Sequence, residues 1–332
     1  MLVEVERSGV VESVHRGLVV IVDEVGEVVL AVGEPDTAIY PRSALKPLQA
    51  AGMLSAGLEL SGSWLALASA SHSGESFHRA GVAQMLAAVG LSADDLQCPA
   101  DWPYDVAAER EYVAAGHTAS RVAMNCSGKH AAMLMTCVHR DWPVADYLAP
   151  DHPLQVSLRA TIEELAGPIE MASTDGCGAP LWGLSLVDLA RSFARLPAAA
   201  PLVVHAMQEF PEYVGGTTRD VSHLMRAVPT LAAKDGAEGV QAMSVKVAGR
   251  LFGVAVKIAD GTDRARAVVA AAALQWLGVS TPAVIDHLER PVLGGGRPVG
   301  ALRMAPAAFP PECDVHDMCL LGACNCKHLG SP

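Results

Sequence analysis

The chain has 332 residues, 51% hydrophobic and 18% charged, with a formal net charge of -12, which is enough length for one large or two ordinary domains around a real core. The acidic balance excludes nonspecific nucleic-acid binding, which needs clustered Lys and Arg against phosphate. No run of about 18 apolar residues suggests a membrane span, and the start, MLVEVERSGV, lacks the basic region and apolar block of a secretory signal.

In chain order, LVVIVD and EVVLAVG are β-branched runs separated by an acidic Gly turn, and they read as a hairpin. From Ala44 to about Leu288 the periodicity is helical, as in VAQMLAAVG, AAMLMTCV, LQVSLRATIEELAG and LWGLSLVDLARSFARL. SVKVAGRLFGVAVKIADG interrupts it with alternating apolar residues on both sides of Ala248–Gly249, a second hairpin, and ARAVVAAAALQWLG follows as a helix. The economical arrangement is α+β: one antiparallel sheet built from the N- and C-terminal hairpins, with flanking helices and an inserted helical region. Residues 1–304 then form a single catalytic unit and 305–332 a Cys/His-rich tail. The tail holds Cys313, Cys319, Cys324, Cys326, His316 and His328. Its spacing is not the paired C-x-x-C of zinc ribbons. The eight cysteines read as the free thiols or metal ligands of a cytoplasmic protein, not as disulfides.

Five stretches carry reactive groups. In YPRSALKPLQA, Ser43 and Lys46 are three apart and stack on one face of a helix starting near Ser43. A lysine of lowered pKa can activate a serine, which is otherwise a weak nucleophile; a capping serine beside a surface lysine has the same spacing. In LALASASHSGESFHRAG, Ser71 offers a second hydroxyl for proton relay, and Glu75 and His78 open a helix. MNCSGKHAAM reads as a helix N-terminus with Asn125 or Ser127 as cap, where the amides and dipole would give Cys126 thiolate character. STDGCGAP is a tight Gly turn whose Asp175 suits a substrate ammonium. AAKDGAEGV reads as a loop beside the site, with Lys257 further on in an apolar strand pattern. Strand lysines usually face water; one facing the cleft would be a desolvated amine.

The ordered series PRSALKPLQ, ASHSGE, NCSGKHAAML, STDGCGAP, KDGAEG and VKIADG resembles the class 3 (rhizobial-type, asparaginase II) L-asparaginases. The resemblance implies a fold similar to serine β-lactamases and glutaminases, homodimers, and hydrolysis of asparagine to aspartate and ammonia. It makes Ser43–Lys46 one serine–lysine pair and Ser71–Lys257 a second, with the attacking serine open. It implies a zinc site on Cys126, Lys129 and Cys177, and substrate contacts from Arg42, His72, Asp175 and Gly176. Ser127 is then a cap and His130 a neighbour of the metal ligands. One departure stands out: Gln241-Ala242-Met243 occupies a place where relatives commonly carry a cysteine. Glutamine or a larger asparaginyl amide as substrate, a penicillin-type acyl transferase lacking a K-T-G strand, and a non-catalytic zinc-binding protein remain the competing readings.

Overall fold

The computed structural model describes residues 1–310, so the tail cysteines and histidines lie outside the described residues. Strands β1 (Val3–Arg7) and β2 (Val10–His15) are followed by β3 (Gly17–Val22), β4 (Val28–Val32) and β5 (Ala38–Ile39). Mid-chain come β6 (Met171–Thr174) and β7 (Pro180–Ser185). The later strands are β8 (Leu231–Gly236), β9 (Val240–Val247), β10 (Arg250–Ile258), β11 (Glu289–Gly294) and β12 (Arg297–Met304). Helices fill most of the chain between β5 and β8.

The two expected hairpins do meet. β3 pairs antiparallel with β10, from Val22 opposite Gly253 to Gly17 opposite Ile258, giving the five-stranded order β4-β3-β10-β9-β8. The Ala248–Gly249 turn has φ of 49° and 85°, two consecutive left-handed residues that match the twist of a two-residue hairpin. The fold is mixed α/β with antiparallel sheets. A helix, Leu186–Ala199, covers β10 and β3. It lies so close that a Cβ on Gly253 would run into the Ala190 carbonyl.

Two further sheets depart from the single-sheet expectation. β11-β12-β1-β2 is a separate four-stranded sheet, with Val3 opposite Met304 and Arg7 opposite Gly300, and β5-β7-β6 is a small third sheet within the helical part. The Ser8–Gly9 and Gly295–Gly296 turns are also left-handed at both positions, so Ser-Gly and Gly-Gly were the overlooked hairpin signals. AAKDGAEGV is likewise no loop: β8 runs through it with all six of its residues buried. One continuous apolar core joins the sheets to the helices. Among the described residues, no helix is long and apolar enough to cross a membrane.

Candidate active site

The site forms where the helical part meets the edge of the five-stranded sheet. Arg42–Leu45 is a short 3-10 turn running directly into the helix Lys46–Ser55, with Pro47 at its second position. Arg42 has φ of 54°, a left-handed conformation that costs a non-glycine residue about 1–2 kcal/mol and persists where surrounding contacts enforce it. One contact is Arg42 Nε donating to Asp175 Oδ1 at 2.8 Å. The same oxygen accepts the Gly176 amide at 2.9 Å, so the Asp175–Gly178 turn is tied to the residue preceding Ser43. On the other side, β8 ends against this turn. A Cβ on Gly236 would collide with the Pro41 carbonyl and crowd the Ala44 amide, so the strand backbone itself forms the wall.

Lys46 is buried, at 1% exposure. Its Nζ lies 2.5 Å from Ala70 O, 3.0 Å from Ser71 Oγ and 3.1 Å from Cys126 Sγ. The expected pairings are therefore rearranged. Lys46 is one turn from Ser43 in sequence, yet its amine is bonded to Ser71. Ser43 itself is half-buried. Lys257 does not serve Ser71: it sits near the end of β10, and its amine donates to the carbonyls of Glu238 and Ile258. A strand-end lysine finds the carbonyls of the adjoining turns within reach, which satisfies it without entering the cleft.

The lysine that does enter is Lys234, on the edge strand β8, with no exposed surface. Its amine donates to the Asp235 carboxylate at 2.8 Å and the Asp235 carbonyl at 2.6 Å. Burial pushes Lys234 down to about 8; the Asp235 carboxylate opposes the fall, and Lys46 and Arg219 add to it. Sequence reasoning missed this residue. Its signal was an apolar LAA run leading into K-D-G, a lysine on a strand followed two residues later by a glycine. Asp235 and Arg219 were missed with it.

The helix Ser127–His139 begins beside Lys46. Gly128 is required there, because a Cβ would strike the Leu67 carbonyl of the helix Gly62–Ala68. Cys126 occupies the N-cap position without a side-chain cap bond. Ser127 does not cap the helix either: its hydroxyl donates to Val122 O and bonds the His72 ring at 2.8 Å. The expectation of a Cys126 thiolate is also reversed. Its hydrogen bond to Cys177, together with burial, raises Cys126, while the same bond, Lys129 and His130 bring Cys177 down. Lys129 donates to Cys177 Sγ at 3.2 Å; burial alone would depress this lysine, but Cys177, Cys126 and Asp175 outweigh it and raise it.

His72 cannot contact substrate in this geometry. It is fully buried, its Nδ1 accepts the Gly74 amide at 3.1 Å, and its Nε2 faces Ser127. Burial, with His78, Lys46 and Arg79 adding to it, holds it well below the ordinary histidine range. It is a neutral brace between two helix starts. His130 is also buried; its Nδ1 meets the Tyr147 hydroxyl at 2.7 Å. Its Nε2 has no hydrogen-bond partner among the described residues, although the Cys177 thiol acts on the ring. Among the described residues, no group of three or more His, Cys, Asp or Glu side chains is placed to hold a metal ion. A donor set that counts a lysine is a different case: Cys126, Cys177 and Lys129 converge, and an unpartnered imidazole nitrogen lies at their edge. Where the resemblance leads one to expect a cysteine, Ala242 faces Lys234 across β8 and β9, and Gln241 Oε1 accepts from Arg266.

Buried serine, lysine and cysteine side chains thus meet at a sheet edge in a mixed α/β protein. A family model described as L-asparaginase II matches residues 3–304, and the chain belongs to that family. Among solved structures, one titled "Crystal Structure Analysis of Mglu in its native form" aligns at a TM-score of 0.39 and 16% identity, over 78% of this chain and 63% of that one. No curated protein matches the chain.

Proposed function

We propose that the protein hydrolyses L-asparagine to L-aspartate and ammonia through an acyl-enzyme on Ser43. The observation that carries this reading is the buried Lys46 amine, 3.0 Å from Ser71 Oγ and one turn from Ser43, in a chain of the L-asparaginase II family. Ser43 is the half-buried hydroxyl of the pair and follows a strained residue, whereas Ser71 is buried and already bonded to Lys46. With Lys46 entering the step as a free amine, Ser43 Oγ attacks the side-chain amide carbonyl, Ser71 takes the Ser43 proton, and Ser71 gives its own to the Lys46 nitrogen, which becomes the ammonium. Of the two oxygen partners of Lys46, only the Ser71 hydroxyl both accepts and donates, so it also returns the proton to the departing ammonia. Water then cleaves the ester by the same route and releases aspartate. Backbone amides where β8 meets the Pro41–Ala44 turn are suited to the developing oxyanion. Lys234, as an ammonium, adds positive charge on that side.

At the mouth, Arg42 and Asp175 are joined at 2.8 Å, a cation and an anion suited to the α-carboxylate and α-ammonium of an amino acid. Gly176 offers its backbone in the same turn. Zn2+ belongs to the proposal as a bound ion held by Cys126, Cys177 and Lys129. The paired sulfurs and the unpartnered His130 Nε2 support that fit. Bound there, it would supply fixed positive charge next to Lys46, and Lys129 would have to lose a proton to bind it. Homodimer formation, a cytoplasmic location and a kinship of fold with serine β-lactamases and glutaminases are parts of the same reading. The last is supported by the order β4-β3-β10-β9-β8, with a helical region between its N- and C-terminal strands.

The test is ammonia release from L-asparagine, with L-glutamine and asparaginyl peptides run beside it, with and without added zinc. Wild type should release ammonia from asparagine, and hydroxylamine should intercept the acyl-enzyme as aspartyl hydroxamate. Ser43→Ala should lose at least roughly a thousandfold in kcat. Full activity in Ser43→Ala, or turnover of glutamine alone, would sink the assignment.

A further inference from the structure

The hydrolytic scheme leaves unexplained a line of charges running outward from Lys234. Asp235 shares its carboxylate between two cations: Oδ1 accepts from Lys234 at 2.8 Å and Oδ2 accepts from Arg219. Arg219 lies over the Tyr104 ring, 4.8 Å from its centroid. The next residue, Asp220, holds Arg266 through two bonds of 2.9 and 3.2 Å, and Arg266 also reaches Gln241, directly opposite Asp235 on β9. Strand β8, the start of the helix Asp220–Ala227 and the helix Asp263–Trp276 therefore meet in alternating charge, with Lys234, Asp235 and Arg266 all buried. Arrays like this are costly to desolvate, and this one ends on an amine near enough to Lys46 to feel its charge.

We propose that Asp235, with its rotamer fixed by Arg219, is a positioning residue that aims the Lys234 amine into the cleft and keeps it an ammonium throughout turnover. The inference rests on the reading that Lys234 acts in amide hydrolysis. The argument is geometric. The charged groups acting on Lys234 are Asp235 from its own strand, Lys46 from the helix Lys46–Ser55, and Arg219 from the segment before Asp220. Arg219 is a cation and Lys46 becomes one when it takes the serine proton, so Asp235 alone favours a charged amine in a fully buried place. Arg219 repels Lys234, yet by taking the second oxygen it prevents the carboxylate from turning away. An asparagine at 235 fits the space but not the charges. Its carbonyl oxygen can serve one cation, while its amide nitrogen must then face the other. The reaction's proton travels through Ser71 and Lys46, so Lys234 works by staying charged, and activity falls as pH rises through its own value near 8. Losing the Asp235 charge lowers that value further, and the basic limb of the profile moves toward acid.

The experiment is kcat and KM for L-asparagine from pH 6 to 10 in wild type, Asp235→Asn, Asp235→Glu, Arg219→Gln and Lys234→Met, with thermal melts on each. Asp235→Asn should lose about a hundredfold in kcat at pH 8 and regain about tenfold of it by pH 6.5. Its basic limb should lie at least about one unit lower, with KM changed less than kcat. Asp235→Glu should recover part of both. Arg219→Gln, which leaves the carboxylate but frees its rotamer, should lose about tenfold in kcat, with the limb displaced in the same sense. A uniform loss at every pH in Asp235→Asn, or an unmoved limb, overturns the inference. If Asp235→Asn does not fold, Arg219→Gln decides alone, and a wild-type kcat and profile there overturn it. If Lys234→Met turns over asparagine as wild type does, the hydrolytic role of Lys234 fails, and the positioning role of Asp235 falls with it; the Lys234→Met rate thus tells the two failures apart.

Discussion

Strands β8 and β10 belong to one sheet and each carries a lysine after apolar residues, yet the two amines meet opposite fates. On β8, at the sheet edge, Lys234 turns inward where the Pro41–Ala44 turn closes over it, and Asp235 neutralises it. On β10, inside the sheet, Lys257 lies near the strand end and spends its protons on two backbone carbonyls. The lesson is that a strand's apolar pattern does not decide whether its lysine is functional. What decides is the element that covers the strand end and the counterion within reach. An edge strand abutting a helix start offers both; near the end of a strand flanked by two others, Lys257 bonds only carbonyls, with the Glu238 and Asp260 carboxylates acting on it from further off.

The sharpest way to break this contrast is to remove each amine. Lys234→Met should lower kcat/KM for asparagine by at least about a hundredfold, and Lys257→Met should change it by less than about twofold. Equal losses in steady-state assays would erase the distinction. Next in size is the sulfur pair. Cys177→Ser should weaken zinc binding by about 10–100-fold, read by competition with a chromogenic chelator; unchanged zinc uptake would remove Cys177 from the donor set. Smaller is the effect of backbone fit. Gly236→Ala should cost about 1–3 kcal/mol in urea unfolding by overpacking against Pro41. Gly249→Ala, in open space but at φ of 85°, should cost only about 1 kcal/mol of left-handed strain. The reverse order would mean that the wall at β8 yields.

An effect of similar size is expected on stability against pH. Lys234 has a folded value near 8, below the unfolded value of about 10.4. The unfolded chain therefore holds the proton between those limits while the folded one has released it, and stability rises with pH across that window. Below about 8 the cost of the buried ammonium is present in full. Wild type should gain about 1–2 kcal/mol relative to Lys234→Met between pH 7.5 and 9.5 in urea unfolding; parallel curves would show that the amine is not desolvated.

Much of this was legible in the residues. The β3–β4 and β9–β10 hairpins followed from β-branched runs around short turns, and their meeting in one sheet followed from economy. The sulfur and lysine cluster of Cys126, Lys129 and Cys177, and Arg42 and Asp175 as separate substrate contacts, came from the family resemblance; the structure brings the first group together and adds a direct bond between Arg42 and Asp175. Partner choice was not legible. Ser43 and Lys46 share a helix face at i, i+3, but a flexible four-carbon side chain reaches whichever acceptors lie across it, here Ala70, Ser71 and Cys126. Lys234 escaped because K-D-G looks like a turn unless the strand before it is credited. His72 was placed at the substrate by the resemblance alone, whereas burial and two internal bonds make it a brace.

The missing Cβ of Gly236 has a consequence for how this protein can change. Main chain rests on main chain where the edge strand meets the turn bearing Ser43, so no side chain there can be traded to widen or narrow the gap. That boundary works as a fixed gauge, the same for any amide presented to it. Adjustment of substrate size must therefore come from the opposite bank, the Asp175–Gly178 turn. There the Gly176 position, with only the end of the Arg42 side chain near it, is open to substitution without disturbing the sheet.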